Sequence, residues 1–353
     1  MTRPETPEKT LSKPEDFVAA GLVAPAQAAA LAKIIARYSA AMTAHLAALV
    51  DPADPADPIA RQFVPDVREL ETAPQECADP IGDDAHAPCE GLVHRYPDRA
   101  LLKSVAACPV YCRFCFRRES VGATKGGMLS PQAFRTALDY VAARPQIREV
   151  ILTGGDPLAL SPRRLAQTVA AIAAIAHVKT IRFHSRVPVA APGLVTDALV
   201  EAIQAPGAAV WVALHANHPR ELGAAARTAI ARLADAGVPL VSQTVLLKGV
   251  NDNPETLAEL MRAFVEARVK PYYLHHPDLA PGTAHFRLPI AEGRAIVAQT
   301  MARVSGLARP SYVLDIPGGF GKIPLQPAAA APDGEGGWRL TDPAGGAHTY
   351  RDA

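Results

Sequence analysis

No stretch of this chain reaches the roughly 18 uninterrupted apolar residues that a membrane span requires, and Met1-Thr-Arg-Pro-Glu-Thr-Pro-Glu-Lys9 lacks the apolar core of a secretion signal. A cytoplasmic protein with no membrane partner is expected. Charge of one sign is missing too: 36 Lys and Arg against 35 Asp and Glu leave a formal net charge of +1, which argues for no nucleic-acid partner. Charged residues are only 20% of the chain and hydrophobic ones 49%, so wholesale disorder is excluded and a sizeable core can form. Cysteine is scarce. Of the five, Cys77 and Cys89 lie apart at irregular spacing, and no second C-x2-C pair exists to complete a four-ligand zinc site.

The other three stand together in Cys108-Pro-Val-Tyr-Cys112-Arg-Phe-Cys115, a C-x3-C-x2-C run. Three thiolates can hold three irons of a [4Fe–4S] cubane and leave the fourth open to a substrate or cofactor, whereas an electron-carrying cluster takes four. So tight a triplet suits shared ligation better than disulfide pairing.

From Ala100 onward, short β-branched runs alternate with Ala/Leu-rich helical patterns. Strands are expected at 101–105, 149–153, 180–183, 209–214, 240–246 and 271–274. Helices are expected at 131–143, 162–176, 196–205, 219–236, 254–267 and 289–306. After the first, strand starts recur about every 30 residues, the length of a βα unit. Each strand leads into polar residues: the triplet, Gly154-Gly-Asp156, His184-Ser-Arg186, His215-Ala-Asn-His218, Gln243 with Lys248, and His275-His-Pro-Asp278. Sites at the ends of all strands favour a curved barrel over a doubly wound sheet, which concentrates its site at one switch point. The fold expected is α/β, a partial (β/α)6 barrel over 96–324. An N-terminal extension, 1–95, would carry a helical stretch at 25–49 and Asp-Pro turns at 51–58; 325–353 would form a tail.

Arg113, Arg117 and Arg118 crowd the cysteine loop, and their guanidinium forks suit a carboxylate or phosphate. The Gly154-Gly155 pair lets backbone approach a ligand or makes a tight turn. In Asp315-Ile-Pro-Gly-Gly-Phe-Gly-Lys322, Ile323 stands where a P-loop needs Ser or Thr, so nucleoside triphosphate is rejected. A lysine on such a loop can instead form a Schiff base with an aldehyde cofactor.

These segments, in this order from about Gly91 to Pro324, resemble the lysine 2,3-aminomutase family of radical S-adenosylmethionine enzymes. The markers are His94-Arg-Tyr-Pro-Asp-Arg99, the triplet with Phe116-Arg-Arg118, Thr153-Gly-Gly-Asp-Pro-Leu158, Ser185-Arg-Val-Pro-Val189, His215-Ala-Asn-His-Pro219, Gln243 through Asp252, Asp278 through Arg287, and Asp315 through Lys322. The resemblance implies a radical-type partial barrel with a [4Fe–4S] cluster on Cys108, Cys112 and Cys115, and S-adenosylmethionine on the open iron near Gly154, Gly155, Asp156 and Gln243. It implies pyridoxal phosphate on Lys322 with Arg95, Tyr96, Arg99 and Arg113 around it. Arg117 would bind the substrate carboxylate, and Asp278 and Asp315 its side-chain ammonium. The activity implied is interconversion of L-lysine and β-lysine, with an electron donor as partner and a homo-oligomer as an option. Clostridial-type members carry extra cysteines for a zinc site between subunits; here Asn253 follows Val-Asn-Asp and no cysteine follows Cys115, which puts that zinc in doubt. Two alternatives stand beside this reading: an aminomutase of the elongation factor P modification branch or for another amino acid, and an iron–sulfur sensor that binds adenosylmethionine without turnover. A sensor has no use for Lys322.

Overall fold

Nine strands, hydrogen-bonded strictly in chain order, make the sheet that organises the molecule. They are β1 (Leu92–Tyr96), β2 (Arg99–Val105), β3 (Glu149–Gly154), β4 (Thr180–Ser185), β5 (Ala209–His215), β6 (Leu240–Val245), β7 (Lys270–His275), β8 (Ser311–Asp315) and β9 (Lys322–Pro324). In this computed structural model the described residues are 9–122, 127–326, 329–334, 337–341 and 346–351. From β2 to β8 every neighbouring pair is parallel; β1 and β9 run antiparallel at the two edges. The edges are not paired with each other among the described residues, so the sheet is an open, partial α/β barrel. The six expected strands are present, and β8 adds a seventh parallel one.

Side chains alternate across a strand, so residues two apart share a face. Val150 and Leu152, Ile181 and Phe183, Val212 and Leu214 turn outward into the apolar core under the helices. The intervening residues face inward: Ile151 and Thr153, Arg182 and His184, Ala213 and His215, Gln243 and Val245, Tyr273 and His275. A closed barrel fills its interior with branched apolar side chains. This interior sets charged and polar side chains among apolar ones because it surrounds a cavity.

The covering helices begin where their caps place them. Ser130 Oγ accepts from the Ala133 amide at the start of Pro131–Ala142, and Asn253 Oδ1 accepts from Thr256 N at 2.8 Å at the start of Pro254–Glu266. Asn253 is thus an N-cap. Leu257, Leu260, Met261 and Phe264 form the buried stripe of the second helix. No helix among the described residues is long and apolar enough to cross a membrane.

The N-terminal extension carries its own apolar cluster of Phe17, Leu31, Ile34, Met42, Leu46, Ile59 and Phe63, which closes on Val110 of the cysteine loop and on Ala190. The helical stretch expected at 25–49 is broken. A 3-10 turn (Pro25–Gln27) and a helix (Ala28–Arg37) lead to extended backbone, where Leu11 bridges Met42, before a short helix at Ala44–Ala47. The Asp-Pro passage ends, as its turn signals suggest, in a cap: Asp57 Oδ1 accepts from Ile59 N and Ala60 N, both at 2.8 Å. Because β1 pairs with β2, a division at residue 95 runs through a strand. Beyond Pro324 the tail forms a small exposed antiparallel sheet of Ala330–Pro332, Trp338–Thr341 and Ala347–Tyr350.

Candidate active site

A cavity of about 260 Å³ opens inside the curved sheet. All three cysteines of the triplet line it, together with Arg95, Tyr96, Arg99, Arg117, Gly154, Gly155, Asp156, Gln243, Asp278, Asp315 and Lys322. Every site residue expected from the sequence is therefore gathered here except Arg113, although the segments that carry them span more than two hundred positions.

The cysteine loop follows β2 directly. Cys108, Cys112 and Cys115 are unpaired thiols that burial pushes upward, aided by Asp156 and then the other two thiols at Cys108, by Glu221 and Asp156 against the pull of Arg186 at Cys112, and by Cys112 at Cys115, which reaches about 11. Among the described residues no three His, Cys, Asp or Glu groups are arranged to hold a single metal ion. A cubane asks for a different arrangement, each thiolate meeting its own iron. A cationic cluster also supplies the positive charge that buried thiolates lack, so this donor set fits it. Gly154 and Gly155 bring β3 against the loop: a Cβ on Gly155 would lie 2.3 Å from the Ala107 carbonyl oxygen, and Gly154 has φ +99°.

Asp156 serves the scaffold. It accepts from Ser185 Oγ and Arg186 N, both at 2.7 Å, and from Leu158 N and Val187 N, both at 3.1 Å, tying the β3 turn to the β4 turn. Gln243 Nε2 stands 3.1 Å from His184 Nε2. Burial and, secondarily, nearby cations hold His184 and His215 well below the ordinary imidazole range, and burial lowers His275 against the opposing pull of Asp315. His218 is a cap whose Nδ1 accepts from Arg220 N at 3.2 Å, and Lys248 is exposed outside the cavity.

At the other end, Lys322 on β9 donates to both oxygens of Asp315 on β8, at 2.6 and 2.7 Å. Its backbone N–H donates to Tyr96 Oη at 3.0 Å, which spans the gap between β9 and β1. Burial alone would raise the Asp315 carboxyl, but His275 and Lys322 beside it hold it well below the usual carboxylate range. Asp278 is the opposite case. It has no hydrogen bond or ion pair among the described residues, and burial, then repulsion from Asp315, pushes it to about 7.

Arg117 is aimed by an acid that sequence reading missed: Asp83 Oδ2 accepts from Arg117 Nε at 3.0 Å and lies 2.9 Å from Nη2. Asp83 also lies 3.3 Å from Arg95. Asp83 comes from the irregular extension, where only its place after the Pro80-Ile-Gly82 turn marks it. Arg95 keeps a buried Nε without a hydrogen-bond partner, Arg182 Nε lies 3.0 Å from Glu149 Oε1, and Arg99 stacks on Tyr96 at 3.8 Å. Unfilled guanidinium donors near a lysine are what a phosphate-bearing aldehyde would need, so pyridoxal phosphate fits this end. Arg182, with Tyr272 and Tyr273, also lines this cavity and was missed by the sequence reading.

Arg113 corrects the expectation placed on it. It is 1% exposed, outside this cavity, and bonded through Nε at 2.9 Å and through Nη2 to Glu69, with Nη1 on the Ser39 carbonyl at 2.8 Å. Arg118 donates to the same carboxylate and stacks on Tyr38. Glu69 is fully buried, and a buried charge is retained only with such partners, so both arginines anchor the extension to the cysteine loop.

Comparison with known proteins agrees with this geometry. A family model described as the radical SAM superfamily matches residues 102–261. The L-lysine 2,3-aminomutase of Clostridium subterminale is 40% identical over 297 residues, covering 84% of this chain and 71% of that protein. That of Acetoanaerobium sticklandii is 41% identical over 287 residues, 81% of this chain and 69% of that protein. That of Escherichia coli is 40% identical over 272 residues, 77% and 79% respectively. The chain belongs to the lysine 2,3-aminomutase family of radical SAM enzymes and is an isomerase of the aminomutase type.

Proposed function

We propose that this enzyme moves the α-amino group of L-lysine to the β-carbon, giving β-lysine, with pyridoxal phosphate as its second cofactor. When bound, the cluster with adenosylmethionine would supply radical chemistry for hydrogen transfer, and pyridoxal phosphate would supply a carrier for the amino nitrogen. Cys108, Cys112 and Cys115 would hold three irons, with adenosylmethionine beside Gly154, Gly155 and Gln243. Arg95, Tyr96 and Arg99 would hold the pyridoxal phosphate, with Lys322 at its aldehyde.

The chain's own residues then have to orient a free basic amino acid. Arg117, fixed by Asp83, offers a planar fork to the α-carboxylate. Asp278 and Asp315 offer carboxylates to the side-chain ammonium. The observation that carries the reading is Asp278, a carboxyl in the cavity with no partner of its own and a high proton affinity. An incoming ammonium would supply the missing partner and draw Asp278 into its charged form. Asp315 is occupied by Lys322 in this structure; attachment of Lys322 to an aldehyde would remove that ammonium and free Asp315 for substrate. Neutral histidines around the cavity add no competing cation.

The test is anaerobic incubation of the reconstituted enzyme with dithionite, adenosylmethionine, pyridoxal phosphate and a panel of amino acids. β-Lysine is expected from lysine. Turnover of another amino acid in preference to lysine, or failure of the protein to take up pyridoxal phosphate through Lys322 as judged against Lys322→Ala, overturns the reading.

A further inference from the structure

Arg186 is a buried cation with a sulfur partner. It is 4% exposed, and its Nη1 donates to Cys112 Sγ at 3.3 Å. The guanidinium is not free to choose this position. Its Nη2 donates to Gln62 Oε1 at 2.7 Å and to Glu221 Oε2, and its plane lies over Phe63 at 4.7 Å. Gln62 and Glu221 are themselves fully buried and mutually bonded, Gln62 Nε2 donating to Glu221 Oε1 at 3.2 Å, with Asn217 Nδ2 donating to Gln62 at 3.0 Å. The Gln62 carbonyl, in turn, accepts from Arg113 N on the cysteine loop at 2.9 Å. One polar network thus holds both the cysteine loop and the cation that touches one of its sulfurs.

We propose that Arg186 is a positioning residue that sets the reduction potential of the cluster through its hydrogen bond to the Cys112 thiolate, and that Gln62 of the N-terminal extension and Glu221 fix it there. The proposal rests on the cluster being held by Cys108, Cys112 and Cys115. Reduction adds one electron to the cluster and increases negative charge on its sulfurs. A cationic N–H donor stabilises the more negative state, so the contact raises the potential. Glu221 offsets part of the long-range charge, which leaves the short directional bond as the dominant effect.

The experiment is an anaerobic EPR-monitored redox titration of the reconstituted protein without adenosylmethionine, alongside iron and sulfide counts. Arg186→Met paired with Glu221→Gln removes the cation without stranding a buried carboxylate. This variant is expected to keep its iron and, at equal applied potential, to show about a tenfold lower ratio of reduced to oxidised cluster, a downward shift of about 59 mV for a one-electron couple. Gln62→Met, which loosens the guanidinium while leaving it charged, is expected to shift the same way by less. Full iron content with an unchanged midpoint in both variants overturns the proposal. Absence of a cluster from the native protein overturns the underlying reading instead. Pulsed EPR of the native protein labelled with guanidino-15N arginine needs no variant: a guanidinium nitrogen coupled to the reduced cluster supports the contact, and no such coupling contradicts it.

Discussion

The arginines around the cavity fall into two groups that differ in how deeply their partner acids are buried. Arg113 and Arg118 share buried Glu69, and Arg186 is held by Glu221 and Gln62. Arg95, Arg99 and Arg182 pair with carboxylates that keep some exposure, in Asp83, Asp98 and Glu149, and Arg117 has Asp83 on one edge and only a long 3.4 Å contact from Nη1 to Thr153 on the other. Arg113 and Arg117 lie four positions apart in one loop, yet belong to different groups. What separates them is a remote acid: Glu69, with the Ser39 carbonyl, occupies the fork of one, and Asp83 aims the other while leaving part of its fork open to the cavity. Arginines paired with a fully buried carboxylate build the walls, and the others line the proposed ligand site.

This contrast breaks most visibly at Glu69. Glu69→Gln leaves two guanidinium groups converging on a neutral partner and is expected to cost about 3–5 kcal/mol of unfolding free energy. Guanidinium denaturation checks it; a loss under 1 kcal/mol would put Arg113 and Arg118 in the open group. Arg99→Met should do the reverse, sparing stability while weakening pyridoxal phosphate binding by about ten- to a hundredfold, the range of about 1.5–3 kcal/mol for a charge-assisted bond. Fluorescence titration with the cofactor measures it, and unchanged affinity would leave Arg95 and Arg182 to hold the phosphate end.

A smaller effect follows from pH. Asp278 is neutral below about 7 and charged above. Only the charged form pairs with an ammonium, so lysine affinity should rise about tenfold per unit up to that point and then level off. Asp278→Asn should flatten the profile; a slope that survives the substitution would assign the titration elsewhere.

Much of this was legible before the structure. The βα rhythm, the polar residues at strand ends and the cysteine triplet are local patterns, and local patterns survive folding. Ser311–Asp315 was missed as a strand because five residues between Pro310 and Ile316-Pro317 carry too little periodicity. The fate of Arg113 was misread for a different reason: its partner Glu69 lies 44 positions away in a segment of turns, and nothing in either residue's neighbourhood names the other. Gln62, Asp83 and Glu221 were hidden in the same way. Chemistry was visible where it repeats or clusters; charge pairing across the chain was not.

The central claim is that the cavity reads a side-chain ammonium with Asp278. Calorimetric binding of L-lysine and of norleucine, which lacks only that amine, to the pyridoxal phosphate-loaded protein and to Asp278→Asn tests it most directly. The native protein is expected to prefer lysine by at least thirtyfold, about 2 kcal/mol, and the preference to collapse in the variant. Equal affinity for the two ligands in the native protein, or a preference untouched by Asp278→Asn, would contradict it.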